Sequence, residues 1–322
     1  MRIAFISQNP EYRAFAERLA ERLSAHSVLF QQVPSELNLE GIQAVMTAGT
    51  RVGRNVLEQP SVGFIQTIGT GFDNVDVAAA TELGVWVANL RANVTGNAES
   101  VAEHAILLLL SLSRRLRLAE EALRQGRWAT PTGSSLFGKV ACVVGLGDIG
   151  SLLATRLQAL GMRVMGVREH ADKGGPEGVQ VFGANALHQA LREADCVVLA
   201  ARAGEHNRDL LDERAIAAMK RGALLVNIAR GSLVKLETLE SALRSGQLGG
   251  VGLDVFWEEP VDPRHPLLQL PQVVATPHVA GVTDVNLAGS LEWAARNLEA
   301  YARGERPHFL VNSPRKPRSP LT

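Results

Sequence analysis

Three short segments late in the chain each place a polar or charged side chain just beyond an apolar, strand-like run. They are "LLVNIARGSLV" with Arg230, "GVGLDVFWEEP" with Asp254 and Glu259, and "VVATPHVAG" with His278. Parallel sheets present ligands at the carboxyl ends of their strands, so these residues have to be read together. A histidine can deliver a proton near neutral pH, a step that contributes roughly 10²–10⁴-fold. A neighbouring carboxylate favours the imidazolium and fixes its tautomer. A guanidinium satisfies a bound anion and stabilises negative charge developing on a carbonyl oxygen. Taken singly, each residue has a plainer reading. Arg230 is then a strand-end charge, Glu259 a loop carboxylate, and most of the eight histidines are surface or packing residues. His104, beside apolar residues in a helical pattern, reads as structural.

A fourth segment, "CVVGLGDIGSLLATRL", carries Gly145, Gly147 and Gly150 in the spacing Gly-x-Gly-x-x-Gly, after an apolar strand and at the opening of an amphipathic helix. That context turns a weak motif into a strong sign of dinucleotide binding. Gly145 permits the tight turn, Gly147 lets backbone N–H groups reach the pyrophosphate, and Gly150 lets helix and strand pack closely. The helix mouth, with Asp148 and Ile149, then points its partial positive charge at the phosphates. Eighteen positions beyond Gly150, "GMRVMGVREHADK" places Arg168 at a strand end where a ribose-binding acid is usual, with Glu169, His170 and Lys173 close behind. An acid there bonds the ribose 2′-hydroxyl and repels a 2′-phosphate. The planar fork of an arginine matches phosphate oxygens instead. The expectation is NADP(H), with NAD(H) held by Glu169 as the competing reading.

These segments, together with "GTGFDNVD" (Gly69 to Asp76) and "NAESVAEH" (Asn97 to His104), resemble the D-isomer-specific 2-hydroxyacid dehydrogenases in order and spacing, over nearly the whole chain to about Asn312. The resemblance implies that Arg230 grips the substrate's carboxylate and carbonyl oxygen, that His278 is the acid/base, and that Glu259, rather than Glu258, orients it. It also implies that Asp254 meets the nicotinamide amide and that backbone amides around Ile68, Gly69 and Thr70 hold the carboxylate's other oxygen. Reduction of a small 2-keto acid to the D-2-hydroxy acid follows, with glyoxylate or hydroxypyruvate as the type of substrate. The chain departs from the family in three places. "LRANVTG" after Asn89 is about three residues longer than usual. Thr47 and Thr67 stand where a phosphoglycerate-specific branch carries arginines. The loop "RAGEHNRDLL" lacks the usual prolines and threonines, and its Arg202 is a further candidate for a 2′-phosphate site. Glu259 argues against the formate-oxidising branch, which has Gln there. A reading of a different class is a dinucleotide-sensing binding protein like the C-terminal-binding-protein corepressors, which keep similar catalytic residues.

The elements that must hold these residues alternate between strand-like and helix-like. A first series runs from "RIAFIS" through "AVMTAG" and "GFIQTIG" to "VWVAN"; a second runs from "VACVVG" through "RVMGV", "CVVLAA", "ALLVNIA" and "GVGLDVF" to "QVVATPH". The fold expected is α/β, with two doubly wound parallel-sheet domains. Residues 1–96 with 286–322 form a flavodoxin-like substrate domain, and 97–285 a Rossmann cofactor domain. One long helical pattern, Ala98 to Gln125, lies between them and reads equally as a helix packed under one domain or as an arm that joins both and contributes to a dimer contact; the resemblance implies a homodimer formed through it. The proline-rich, basic tail "SPRKPRSPLT" is expected to be disordered. The 322 residues carry 33 basic and 33 acidic side chains, which argues against nucleic acid or an anionic membrane as partner. The opening "MRIAFIS" reads as a strand rather than an export signal, and Cys142 and Cys196 read as inert core thiols rather than a disulfide or metal pair. A cytoplasmic protein is expected.

Overall fold

The computed structural model describes residues 1–33 and 37–320. The chain divides into two compact units: Met1–Asn97 with the chain from Thr283 onward, and Ala98–Val282. No helix among the described residues is long and apolar enough to cross a membrane.

The first unit is built on an all-parallel sheet of β1 (Arg2–Ser7), β2 (Ser27–Gln32), β3 (Ala44–Thr47), β4 (Phe64–Thr67) and β5 (Trp86–Ala88), in the order β2-β1-β3-β4-β5. Its inner strands are covered on both faces, which is why they read as unbroken apolar runs. Ile3 and Phe5 join Phe15, Leu298 and Tyr301 in one cluster; Ala4 and Ile6 join Val45, Val56 and Ala79 in the other. The segment "LRANVTG" folds as a short helix, Ala92–Thr95, closed by Gly96 at φ +86°. It packs on helix Asp284–Ala302 so closely that a Cβ on Gly289 would stand 2.3 Å from the Thr95 carbonyl oxygen.

The tail is ordered through Pro320, contrary to the expectation from its composition. Val311 donates to the Val87 carbonyl, and the Asn312 side chain bonds Val87 N, Val85 O and Thr81. Further on, Arg318 Nη1 donates to the carbonyls of Leu57, Gln59 and Val62 at 3.0, 2.8 and 2.7 Å, and its amide donates to Gly84. Gly84, at φ +78°, has no room for a side chain, since a Cβ there would lie 2.4 Å from the Lys316 carbonyl oxygen. One guanidinium that satisfies three loop carbonyls outweighs the disorder that proline and charge suggest.

The second unit holds β6 (Val140–Val144), β7 (Arg163–Arg168), β8 (Gln180–Gly183), β9 (Cys196–Leu199), β10 (Ala223–Asn227), β11 (Leu248–Leu253) and β12 (Val273–Ala275), again all parallel, in the order β12-β11-β10-β9-β6-β7-β8. The chain steps outward from β6 to β8, then returns to lay β9 on the other side of β6. This reversal is the switch point at which such sheets take ligands. The single helix expected over 98–125 is two, Asn97–Ser113 and Leu116–Arg124, broken at Arg115 with φ +53°. Leu108 and Leu112 of the first lie against the glycines of β11; a Cβ on Gly252 would be 3.1 Å from that of Leu108.

Arg318→Ala is expected to lower the stability of the first unit by about 2–3 kcal/mol, the scale of charge-assisted hydrogen bonds to carbonyls left without a partner. Amide hydrogen exchange checks this. Protection should fall around residues 57–62 and 84–87 and stay unchanged in 140–280.

Candidate active site

The glycine turn has the geometry its spacing implies. Gly145 has φ +104°, and a Cβ there would lie 2.5 Å from both N and Cα of Ala201, so the chain just beyond β9 presses directly on it. A Cβ on Gly150 would stand 1.8 Å from the Gly145 carbonyl oxygen, so helix Asp148–Ala159 can approach β6 only with glycine there. Gly147, the residue before the helix, faces open space on the side where its Cβ would project. The first bond within the helix is Ser151 N to Gly147 O, which leaves the amides of Asp148, Ile149 and Gly150 ahead of the ladder. Ile149 itself packs on the core beneath the turn. These features fit a dinucleotide: a mouth of N–H groups with no side chain between them and the phosphates.

At the end of β7, Arg168 Nη1 donates to the Gly174 carbonyl at 2.7 Å, closing the loop that contains the turn Ala171–Lys173. Glu169, His170 and Lys173 are exposed. In the loop after β9, Asn207 accepts from Gly204 N and donates to the Arg202 carbonyl, so the segment is stapled without the prolines usual in similar sequences.

Arg230, Asp254, Glu259 and His278 follow three neighbouring strands, β10, β11 and β12. Arg230 lies against the following loop because Gly231 touches the Phe256 backbone; a Cβ on Gly231 would be 1.8 Å from the Phe256 carbonyl oxygen. Its Nη1 donates to the Ala229 carbonyl, and its own carbonyl accepts from Asn227. Glu259 Oε1 accepts from Phe256 N at 3.0 Å, and Oε2 meets His278 Nδ1 at 2.7 Å. Burial pushes the Glu259 carboxyl up, but the bond and charge of His278, the Phe256 amide and the Arg230 charge outweigh it and hold it below its ordinary value. Glu259 is therefore an anion at neutral pH. Because Nδ1 is taken, Nε2 is the nitrogen of His278 left for chemistry, on a side chain that is 49% exposed.

Asp254 is only 1% exposed. Its Oδ1 accepts from Thr276 Oγ1 and Val279 N, and Oδ2 from Ala280 N. Thr276 also meets His104 Nε2 at 2.8 Å, so His104, read from the sequence as structural, contacts the segment that bears His278. The sequence signal was present: Thr276 stands two residues before His278 inside the same motif.

In the first unit, the turn after β4 holds Ile68, Gly69 and Thr70. The Ile68 amide donates to the Thr47 carbonyl, so it is already engaged, and the expectation that it binds an anion is corrected. Gly69, at φ +99°, accepts from Leu90 N, and the Thr70 carbonyl accepts from the Asn89 side chain. Thr47 and Thr67 pair in register, and both are buried.

Residues 106–280 match the family model described as "D-isomer specific 2-hydroxyacid dehydrogenase, NAD binding domain". A glyoxylate reductase of Thermococcus kodakarensis is 33% identical over 321 residues, covering 93% of this chain and 94% of the relative. One from Korarchaeum cryptofilum is 35% identical over 263 residues, covering 79% and 77%. Among solved structures, an NADPH-dependent glyoxylate/hydroxypyruvate reductase of Sinorhizobium meliloti, in complex with NADP and malonate, superposes with a TM-score of 0.85 at 28% identity, covering 99% of each chain. With a glycine cradle at the switch point, an Arg, Glu and His at neighbouring strand ends, and relatives matched over most of its length, the chain belongs to the D-isomer-specific 2-hydroxyacid dehydrogenases.

Proposed function

We propose that this chain reduces a small 2-keto acid of the glyoxylate or hydroxypyruvate type to the D-2-hydroxy acid, with NADP(H) favoured over NAD(H). The observation that carries this reading is the 2.7 Å contact of His278 Nδ1 with Glu259, beside Arg230 at the neighbouring strand end. The names of the relatives, glyoxylate reductases and a glyoxylate/hydroxypyruvate reductase, support the substrate type.

Gly145, Gly147 and Gly150, with the amides of Asp148 and Ile149, hold the pyrophosphate. When bound, a reduced nicotinamide supplies two electrons and a proton equivalent as hydride to C2 of the keto acid. Arg230 draws the carboxylate and carbonyl oxygen into place and offsets the charge that develops on that oxygen. His278 Nε2 passes its proton to the same oxygen, and solvent returns one to the exposed ring. Glu259 fixes the tautomer and offsets the imidazolium charge. A carboxylate has about four acceptor sites, so the three internal bonds leave Asp254 one for the nicotinamide amide. With threonines buried at 47 and 67, no cation there meets a phosphorylated substrate.

Arg168 turns the cofactor choice towards NADP(H). One nitrogen is tied to Gly174, which holds the fork at the strand end where a 2′-phosphate would lie. A homodimer formed through the 107–137 segment is supported by its exposed apolar side chains, among them Leu107, Leu123, Trp128 (88%) and Phe137 (78%). A reducing cytoplasm suits Cys142 and Cys196, unpaired thiols that burial pushes up to about 12.

Four outcomes are expected. His278→Ala lowers kcat by about 10²–10⁴-fold in NADPH-linked reduction of glyoxylate or hydroxypyruvate, while a fluorescence titration of NADPH is unchanged. Glu259→Gln removes the anion that favours imidazolium, so the alkaline limb of the rate profile moves to lower pH. Arg168→Gln lowers kcat/KM for NADPH about tenfold or more and leaves NADH unaffected; a wild-type preference for NADH would rule out the arginine's role. Light scattering gives a dimer for the wild type and a monomer for Trp128→Glu combined with Phe137→Glu.

A further inference from the structure

One polar chain in the second unit, His104–Thr276–Asp254, enters the mechanism only at its end, where Asp254 meets the nicotinamide amide; His104 and Thr276 have no role in it. Their hydrogen-bond directions are fixed by inventory. Asp254 Oδ1, as a carboxylate oxygen, only accepts, so the single hydroxyl proton of Thr276 goes to it at 2.7 Å. Thr276 Oγ1 then has only lone pairs to offer, so His104 Nε2, 2.8 Å away, donates. His104 therefore carries a proton on Nε2. Helix Asn97–Ser113 thus reaches through one hydroxyl to a carboxylate that is itself 1% exposed.

That carboxylate holds the backbone directly after the acid/base. It accepts from Val279 N at 2.9 Å and from Ala280 N at 3.0 Å. His278, immediately before them, has φ +54°, a left-handed conformation that is uncommon for a residue with a side chain, and its own amide folds back onto the Thr276 carbonyl. Such a conformation persists only where its surroundings over-determine it. Here the fastening points are Thr276 on one side and residues 279 and 280 on the other, all joined at Asp254.

We propose that His104 and Thr276 are positioning residues. By locking Asp254 onto the amides of Val279 and Ala280, they hold His278 in the left-handed turn that aims Nδ1 at Glu259. The charged and titratable groups concerned are Glu259 and Arg230 around the His278 pair, and Asp254 and His104 around Thr276. This rests on the reading of His278 as the proton donor, so the test includes a readout that needs no turnover.

The test compares Thr276→Val, which keeps the shape and removes the hydroxyl, with Thr276→Ser, which restores it. In the full chain, Thr276→Val should lower kcat for NADPH-linked glyoxylate reduction about 10- to 100-fold, the cost of a misplaced catalytic group, with NADPH affinity by fluorescence unchanged. The alkaline limb of kcat/KM should move to lower pH. In ligand-free protein, the NMR titration midpoint of the His278 ring should move the same way, because its contact with Glu259 loosens. Thr276→Ser should recover all three. Should Thr276→Val not fold, His104→Leu against His104→Gln, which keeps a donor at the Nε2 position, repeats the comparison. Wild-type titration and kcat in the variant lacking the hydroxyl, or a serine variant as impaired as the valine, overturns the proposal. Full turnover in His278→Ala instead overturns the assignment of the proton donor, and the NMR comparison still reports on the lock.

Discussion

Asn227, Leu253 and Ala275 lie side by side across β10, β11 and β12, in parallel register. The placement of the arginine, carboxylates and histidine of the candidate site follows from that alignment. The residues just beyond, within one to six positions, are Arg230, Asp254, Glu259 and His278. A one-residue slip of any of the three strands would turn its side chains to the opposite face and shift its exit along the sheet edge. The register is guarded by burial on both faces. Leu225, Val251 and Val273 are fully enclosed, and the glycines of β11 admit Leu108 and Leu112 at close range. Ordinary apolar packing thus sets the spacing of the polar groups.

Much of this was legible in the residues. Inner strands buried on both faces announce themselves as apolar runs, and all of them were found. The two missed strands, β2 and β8, are edge strands whose half-exposed side chains give no such run. The Gly-x-Gly-x-x-Gly spacing carried its geometry with it, because each glycine answers a separate steric demand that any side chain would violate. The break at Arg115 was invisible: nothing in "SRRLRL" marks a left-handed residue, and tertiary packing imposed it. The order of the tail was hidden for a related reason. Composition reports how much apolar surface a segment has, not whether one of its arginines reaches three waiting carbonyls.

Of the site, residue types and strand-end positions could be read directly; contacts could not. The sequence places Glu259 and His278 nineteen residues apart, and only the adjacency of β11 and β12 turns them into a pair. His104 lies further still, at the end of the segment "NAESVAEH", in which nothing points to Thr276. Its involvement depends on how its helix seats beneath the sheet. The turn at 68–70 shows the opposite case, since resemblance offered an amide, that of Ile68, which the sheet's own hydrogen bonding has taken.

The first unit is assembled from both ends of the chain, whereas the second is one uninterrupted stretch. The helix Asp284–Ala302 and the strap from Phe309 to Arg318 supply Leu298, Tyr301, Asn312 and the guanidinium that closes the loops around Leu57 and Val62. During synthesis from the amino terminus, the dinucleotide-binding unit is therefore complete while its companion still lacks one covering layer. The half that was translated first is the half that finishes last, and an amino-terminal fragment ending near residue 97 would expose the apolar face that Ala294, Leu298 and Tyr301 cover in the whole chain.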